Sequence, residues 1–126
     1  MLDHLFSPRS VAVIGASKTP GKVGHDILVN LISGGFRGAI IPVNPAGGTL
    51  FSLPVVERLQ RYRGEIDQVI IAVPRKNVLD AVHDALAKKA KSIVLISAGF
   101  KETGEEGKAL EEEITRLCRS HNARLL

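Results

Sequence analysis

Short β-branched apolar runs alternate along this chain with longer segments whose apolar residues recur at helical spacing, and that alternation leaves few folds open. Four runs are clear, Ser10–Ile14, Ala39–Val43, Gln68–Val73 and Ser92–Ser97; a fifth, Ala123–Leu126, begins just before the last residue. They are too continuously apolar to leave one face to water, which marks strands of a parallel sheet covered on both sides. Between the first two, Val23, Ile27, Leu28, Leu31 and Ile32 make one helical stripe that Gly34-Gly35 ends. Val78, Leu79, Val82, Ala85 and Leu86 make a strong second stripe with Asn77 as a candidate N-cap, and Val55, Val56 and Leu59 a weak one after Pro54. Leu110, Ile114, Leu117 and Cys118 define the last helix, which Thr103 and Glu106 would open as a capping box.

Right-handed crossovers turn this order of elements into an α/β, doubly wound, Rossmann-like parallel sheet of about five strands, with the expected strand order 3-2-1-4-5 and helices on both faces. A length of 126 residues at 44% hydrophobic content suits a single domain over residues 1–126. Ligands of such sheets bind at the carboxyl ends of the strands, where the winding reverses. The candidate site is therefore the set of loops at residues 15–24, 44–48, 74–77 and 97–101.

In the first loop, Gly15, Gly21 and Gly24 leave the backbone bare where a strand turns into a helix, so N–H groups and the helix N-terminus can approach an anion, most often a phosphate. The same glycines would also serve a turn that needs only tight helix–strand packing, and Ser17 either donates to a phosphate or satisfies its own turn. The spacing is not the G-x-G-x-x-G of dinucleotide folds, and no G-K-[ST] triplet is present. After the second strand comes Val43-Asn44-Pro45-Ala46, with no carboxylate before Glu57 to hold the ribose of NAD and no base beside Asn44 for NADP. A nicotinamide-binding domain is thereby disfavoured. Lys18 and Lys22, Arg75 and Lys76, and Lys101 put positive charge in three of the loops, which suits a ligand with several phosphates.

A net charge of +4 is mild, and only 4% of residues are aromatic, so the interleaved basic and stacking residues of a nucleic-acid binder are missing. The longest apolar runs fall well short of the roughly 18 residues that cross a bilayer, and the first residues carry no secretory pattern. A single cysteine, Cys118, fits no disulfide or metal spacing and reads as a small buried apolar residue. These points together lead to the expectation of a cytoplasmic location, with no nucleic-acid and no membrane partner. Of His4, His25, His83 and His121, only His25 lies close to the candidate phosphate loop; His83 reads as surface, and Asp26 and Asp80 as helix-start charges. No nucleophile pairs with a base. The chain looks built to bind, with the chemistry supplied elsewhere.

The ordered segments LFSPRSVAVIGAS, PGKVG, GGFRGAIIPVNP, IAVP and SAGFKETGEEG resemble the N-terminal CoA-binding domain of nucleoside-diphosphate-forming acyl-CoA synthetases of the ADP-forming acetyl-CoA synthetase type. The chain is similar, more distantly, to the succinyl-CoA synthetase α-subunit and to small stand-alone CoA-binding proteins. The resemblance implies coenzyme A as ligand and an enzyme that interconverts acyl-CoA, ADP and phosphate with the free acid, CoA and ATP. It implies that Gly15, Ala16, Ser17 and Lys22 face CoA phosphates while Val43, Asn44 and Pro45 shape the neighbouring wall. It sets Val73, Pro74 and Arg75 against the adenosine end, and Ser97, Ala98, Gly99 and Phe100 along the path to the thiol. The family's Gly-Pro-Asn turn, phosphohistidine loop and nucleotide-grasping domain are absent, so the expectation is one domain of a larger synthetase, not catalytic alone, whose partners are CoA or acyl-CoA and the remaining synthetase domains or subunit. A stand-alone CoA-binding module and the CoA-binding part of a protein acetyltransferase are the alternatives.

Overall fold

The computed structural model describes residues 8–96 and 104–126. Its elements run β1 (Ser10–Ile14), α1 (Val23–Ser33), β2 (Ala39–Val43), β3 (Thr49–Leu50), β4 (Leu53–Pro54), a 3₁₀ turn (Leu59–Arg61), β5 (Gln68–Ile71), α2 (Arg75–Ala87), β6 (Ser92–Leu95), α3 (Glu105–Ser120) and β7 (Arg124–Leu125). Five strands form one parallel sheet in the order β2-β1-β5-β6-β7, and β3 pairs with β4 as a separate antiparallel hairpin.

The five runs read from the sequence are these five strands, and their α/β, parallel arrangement is as expected. Their order is 2-1-3-4-5, not 3-2-1-4-5. Pro42 explains the difference, because a proline in β2 has no N–H to donate and so fits an edge strand. What flanks β2 is a single parallel bridge between Val43 and Val56, in which the Val56 N–H donates to the Pro42 carbonyl (3.0 Å) and the Asn44 N–H to the Val56 carbonyl (3.0 Å). If Val56 is counted as a rudimentary third strand, the expected order reappears around it. The weak helix expected over Val55–Leu59 is replaced by this bridge and by the 3₁₀ turn. Two β-branched valines and few apolar positions favour extended backbone over a helix too short to bury a face.

Alternating residues of β1 divide the core. Ala12 joins Ile41, Val69, Ile71 and Ile93 beneath Val78, Val82 and Ala85 of α2 and Ile114 and Cys118 of α3. Val13 turns the other way, to Ala16 and Leu28, with Ile27, Leu31, Ile40 and Leu50 around them. Helices thus cover both faces, α1 one and α2 with α3 the other. Gly34 follows α1, donating to the Asn30 carbonyl, and Gly35 adopts φ +78°, so the glycine pair ends the helix as expected. Helix α2 starts earlier than expected, at Arg75 with Pro74 as N-cap. Gly104 stands at the N-cap of α3; Thr103 lies outside the described residues.

Candidate functional site

The ends of β1, β2 and β5 meet at the one place where the chain winds off the sheet in opposite directions. From β1 it goes to α1 on one face, and from β5 to α2 on the other. A cleft of about 740 Å³ opens there, floored by Ile14, Gly15, Val43, Val73 and Ala81, with Pro45 and Pro74 on its walls. That volume falls within the roughly 300–1,000 Å³ of small-molecule sites, and its position matches the rule for doubly wound sheets.

Beside it lies the glycine loop, and its hydrogen bonds separate the two readings of those glycines. The N–H groups of Gly15 and Ala16 both donate to the Val43 carbonyl, at 3.1 and 3.2 Å, so they are used within the fold. A Cβ on Gly15 would overlap the Ala72 carbonyl oxygen, and its φ of +96° disfavours any side chain. On Gly24 a Cβ would overlap the Gly15 carbonyl oxygen. These two glycines exist for close packing of strand ends and helix. Gly21 differs: its φ is +92°, and nothing lies within 4 Å of where its Cβ would be.

Past Ala16 the loop bonds only its Thr19 and Lys22 N–H groups within itself. No group among the described residues accepts from the N–H of Ser17, Lys18, Gly21, Val23 or Gly24, and no side chain caps α1 at Lys22. Unpaired donors at a helix N-terminus with bare backbone form an anion cradle. Lys18 and Lys22, both exposed, add charge to it. The Ser17 hydroxyl accepts from the Thr19 N–H (3.0 Å), satisfying its own turn and leaving its proton free to donate outward.

Asn44 is a brace. Its amide nitrogen donates to the Ala16 carbonyl at 2.7 Å, and its amide oxygen accepts from the Ala46 N–H at 2.8 Å. Arg75, the first residue of α2, sends one guanidinium nitrogen to within 3.6 Å of the Glu106 carboxylate, while Nη1 is buried without a partner among the described residues. Ser97, Ala98, Gly99 and Phe100, like Lys101, fall outside the described residues.

Of the residues singled out from the sequence, Gly15, Val43, Pro45, Val73 and Pro74 line the cleft, while Ala16, Ser17, Lys22, Asn44 and Arg75 lie in the loops and helix starts that follow the same strand ends. The structure adds a polar mouth that sequence reasoning missed. Glu57, Arg58 and Arg61 reach the cleft from the segment expected to be a helix, and Asn77, Asp80 and Asp84 line it from α2. The spacing of these last three (i, i+3, i+7) places them on one helix face, and that face was legible in the sequence. Among the described residues no cluster of three His, Cys, Asp or Glu side chains could hold a metal ion. No helix among them is long and apolar enough to cross a membrane.

An uncapped helix start, a bare loop with two lysines and a cleft with an apolar floor at the switch point together have the chemistry that suits a phosphate-bearing ligand with an apolar portion. The family model described as CoA binding domain matches residues 9–126. This chain belongs to that CoA-binding domain family. It is 40% identical over 129 aligned positions to the α-subunit of acetate–CoA ligase (ADP-forming) I of Pyrococcus furiosus, a match covering 99% of this chain and 28% of the relative. The dinucleotide-forming acetyl-coenzyme A synthetase 1 of Candidatus Korarchaeum cryptofilum, solved with phosphate and ADP, superposes at a TM-score of 0.93 with 39% identity, over all of this chain and 27% of that one. A conserved hypothetical protein of Pyrococcus furiosus superposes at 0.74 with 26% identity, over 93% of this chain and 90% of that one. The chain accordingly matches the N-terminal part of ADP-forming acetyl-CoA synthetases and spans 28% or less of those relatives' length.

Proposed function

We propose that this chain binds coenzyme A along the carboxyl edge of its sheet, as the cofactor-holding domain of an ADP-forming acid–CoA ligase. The observation that carries the reading is the set of N–H groups at Ser17, Lys18, Gly21, Val23 and Gly24 that have no acceptor among the described residues, opening at the helix start beside the cleft. Those donors, with Lys22, would hold phosphates. Val43, Pro45, Val73 and Pro74 would give apolar walls to the adenosine, and Nη1 of Arg75, without a partner among the described residues, has hydrogen-bonding capacity to spare for a further anionic group. Coenzyme A, when bound, supplies the thiol that takes up the acyl group. The resemblance assigns Ser97, Ala98, Gly99 and Phe100 to the path toward that thiol. The acid-activating and nucleotide-handling groups would come from other synthetase domains or a second subunit, in the cytoplasm.

Thermal unfolding with added ligand tests this. A ligand at about 100 times its Kd stabilises the folded state by about 2.7 kcal/mol. Coenzyme A is expected to raise the melting temperature by several degrees and NAD to leave it unchanged; equal shifts, or none with CoA at millimolar concentration, would refute the proposal.

A second reading, a stand-alone CoA-binding module, is favoured by the hypothetical protein that this domain covers almost entirely. The two part on what accompanies the chain in its cell. Copurification with a nucleotide-binding partner carrying a phosphorylated histidine supports the ligase, and CoA binding without one supports the module.

A further inference from the structure

The hairpin β3–β4 has a turn whose residues contradict its backbone. Leu50 pairs with Leu53, so Phe51 and Ser52 form a two-residue loop, and both sit in the left-handed region at φ 52° and 64°. Such loops favour Asn or Gly; a bulky aromatic there is a poor local choice. Strain of this kind persists only where the surroundings impose it, and it gathers at functional sites.

Phe51 is 47% exposed, and its ring centroid lies 5.3 Å from that of His25, tilted by 49°. His25 is the third residue of α1, and its Nδ1 lies 3.0 Å from the Ser17 carbonyl oxygen. A carbonyl only accepts, so Nδ1 carries the proton of this bond. In a planar trans peptide the C=O and the following N–H point in opposite directions. Holding the Ser17 carbonyl toward His25 therefore aims the Lys18 N–H away from it, and that N–H is one of the unpaired donors of the cradle. Leu50 anchors the same hairpin by packing on the cluster that contains Ala16.

We propose, on the reading that CoA binds at this loop, that His25 and Phe51 are positioning residues for the CoA phosphates: Phe51 holds the imidazole, and the imidazole fixes the Ser17–Lys18 peptide with its N–H toward the ligand. The strained aromatic is kept for this support, not for the stability of the turn.

The test combines CoA titration calorimetry, thermal melting and the amide NMR signal of Lys18 in four proteins. His25→Ala should weaken CoA binding about tenfold, the worth of one oriented hydrogen bond, and shift the Lys18 amide signal in the free protein. His25→Asn, whose amide nitrogen can stand in for Nδ1, should restore most of the affinity. Phe51→Asn suits the left-handed turn, so it should melt no lower than the unaltered chain and yet bind CoA several-fold more weakly. Unchanged CoA affinity in both His25→Ala and Phe51→Asn would overturn this inference alone. Failure of the unaltered chain to bind CoA would overturn the functional reading, and this inference with it.

Discussion

Replacing Gly24 with alanine pits two backbone effects against each other, and the structure decides the sign. Within a helix, Gly→Ala ordinarily stabilises by up to about 1 kcal/mol. Here the new Cβ would overlap the Gly15 carbonyl oxygen and stand 2.7 Å from its carbon and 3.2 Å from the Ala16 Cα. Carbon–carbon contacts prefer about 3.5–4.0 Å, so relieving the carbonyl-carbon contact alone takes a retreat of α1 by about 1 Å from the end of β1, and the overlapped oxygen requires more. The obstructing atoms are all main chain, and Gly15 itself is held by its bond to the Val43 carbonyl (3.1 Å). Overpacking of this kind costs about 1–3 kcal/mol. Taking the upper end, the net loss is about 2 kcal/mol, or about 8 °C in Tm for a chain of this size. Differential scanning calorimetry without ligand reads that change. The retreat also drags the N–H groups of Val23 and Gly24 from the cradle, so CoA affinity should fall more than tenfold. A variant that melts at or above the unaltered protein would show that close helix–strand approach is not what this glycine provides.

Lys22→Ala should weaken CoA binding about two- to fivefold, as for an exposed charge pair, and flatten its dependence on ionic strength; titration calorimetry at low and high salt checks both, and unchanged affinity at low salt would remove Lys22 from the site. At the opposite end of the sheet, the buried Ser10 hydroxyl donates to the Glu65 carbonyl (2.9 Å) and accepts from the Asp67 N–H (2.9 Å). Ser10→Ala leaves that N–H without its acceptor and should cost about 1–3 kcal/mol in urea unfolding; a loss below about 0.5 kcal/mol would refute the role. Burial pushes the Cys118 thiol above its ordinary pKa of 9.0. The unfolded chain then gives up that proton first, so this contribution is flat at lower pH and stability falls as pH climbs through 9.0 and above. Cys118→Ala should flatten that alkaline decline in melting scans, and an identical decline would exclude the thiol as its source.

The sheet was legible because its signal is local: each β-branched run is one strand. The order of strands was less so, since handedness rules favour the commonest winding, while the observed edge position of β2 is one that Pro42, with no N–H to donate, fits. Residues 44–67 were misread where weak apolar periodicity competed with β-branched Val55 and Val56. The hairpin there carries Phe51, and the polar mouth of the cleft comes partly from Glu57, Arg58 and Arg61, so the error hid these residues too. The glycine loop joins β1 to α1, where its spacing implies a strand-to-helix turn, but its members divide in a way no spacing reveals. The N–H groups of Gly15 and Ala16 are committed to Val43, whereas those of Ser17, Lys18, Gly21, Val23 and Gly24 have no acceptor among the described residues. Asn44 braces the loop through Ala16, a contact 28 residues away in sequence that no local pattern shows.

Titration of CoA into the isotope-labelled chain, followed through its backbone amide signals, tests the central claim most directly. The account predicts saturable shifts concentrated at residues 17–24, 43–45 and 73–75, with the largest among the unpaired N–H groups of Ser17, Lys18 and Gly21. Shifts confined to the outer face of α3, or no shifts at millimolar CoA, would contradict it.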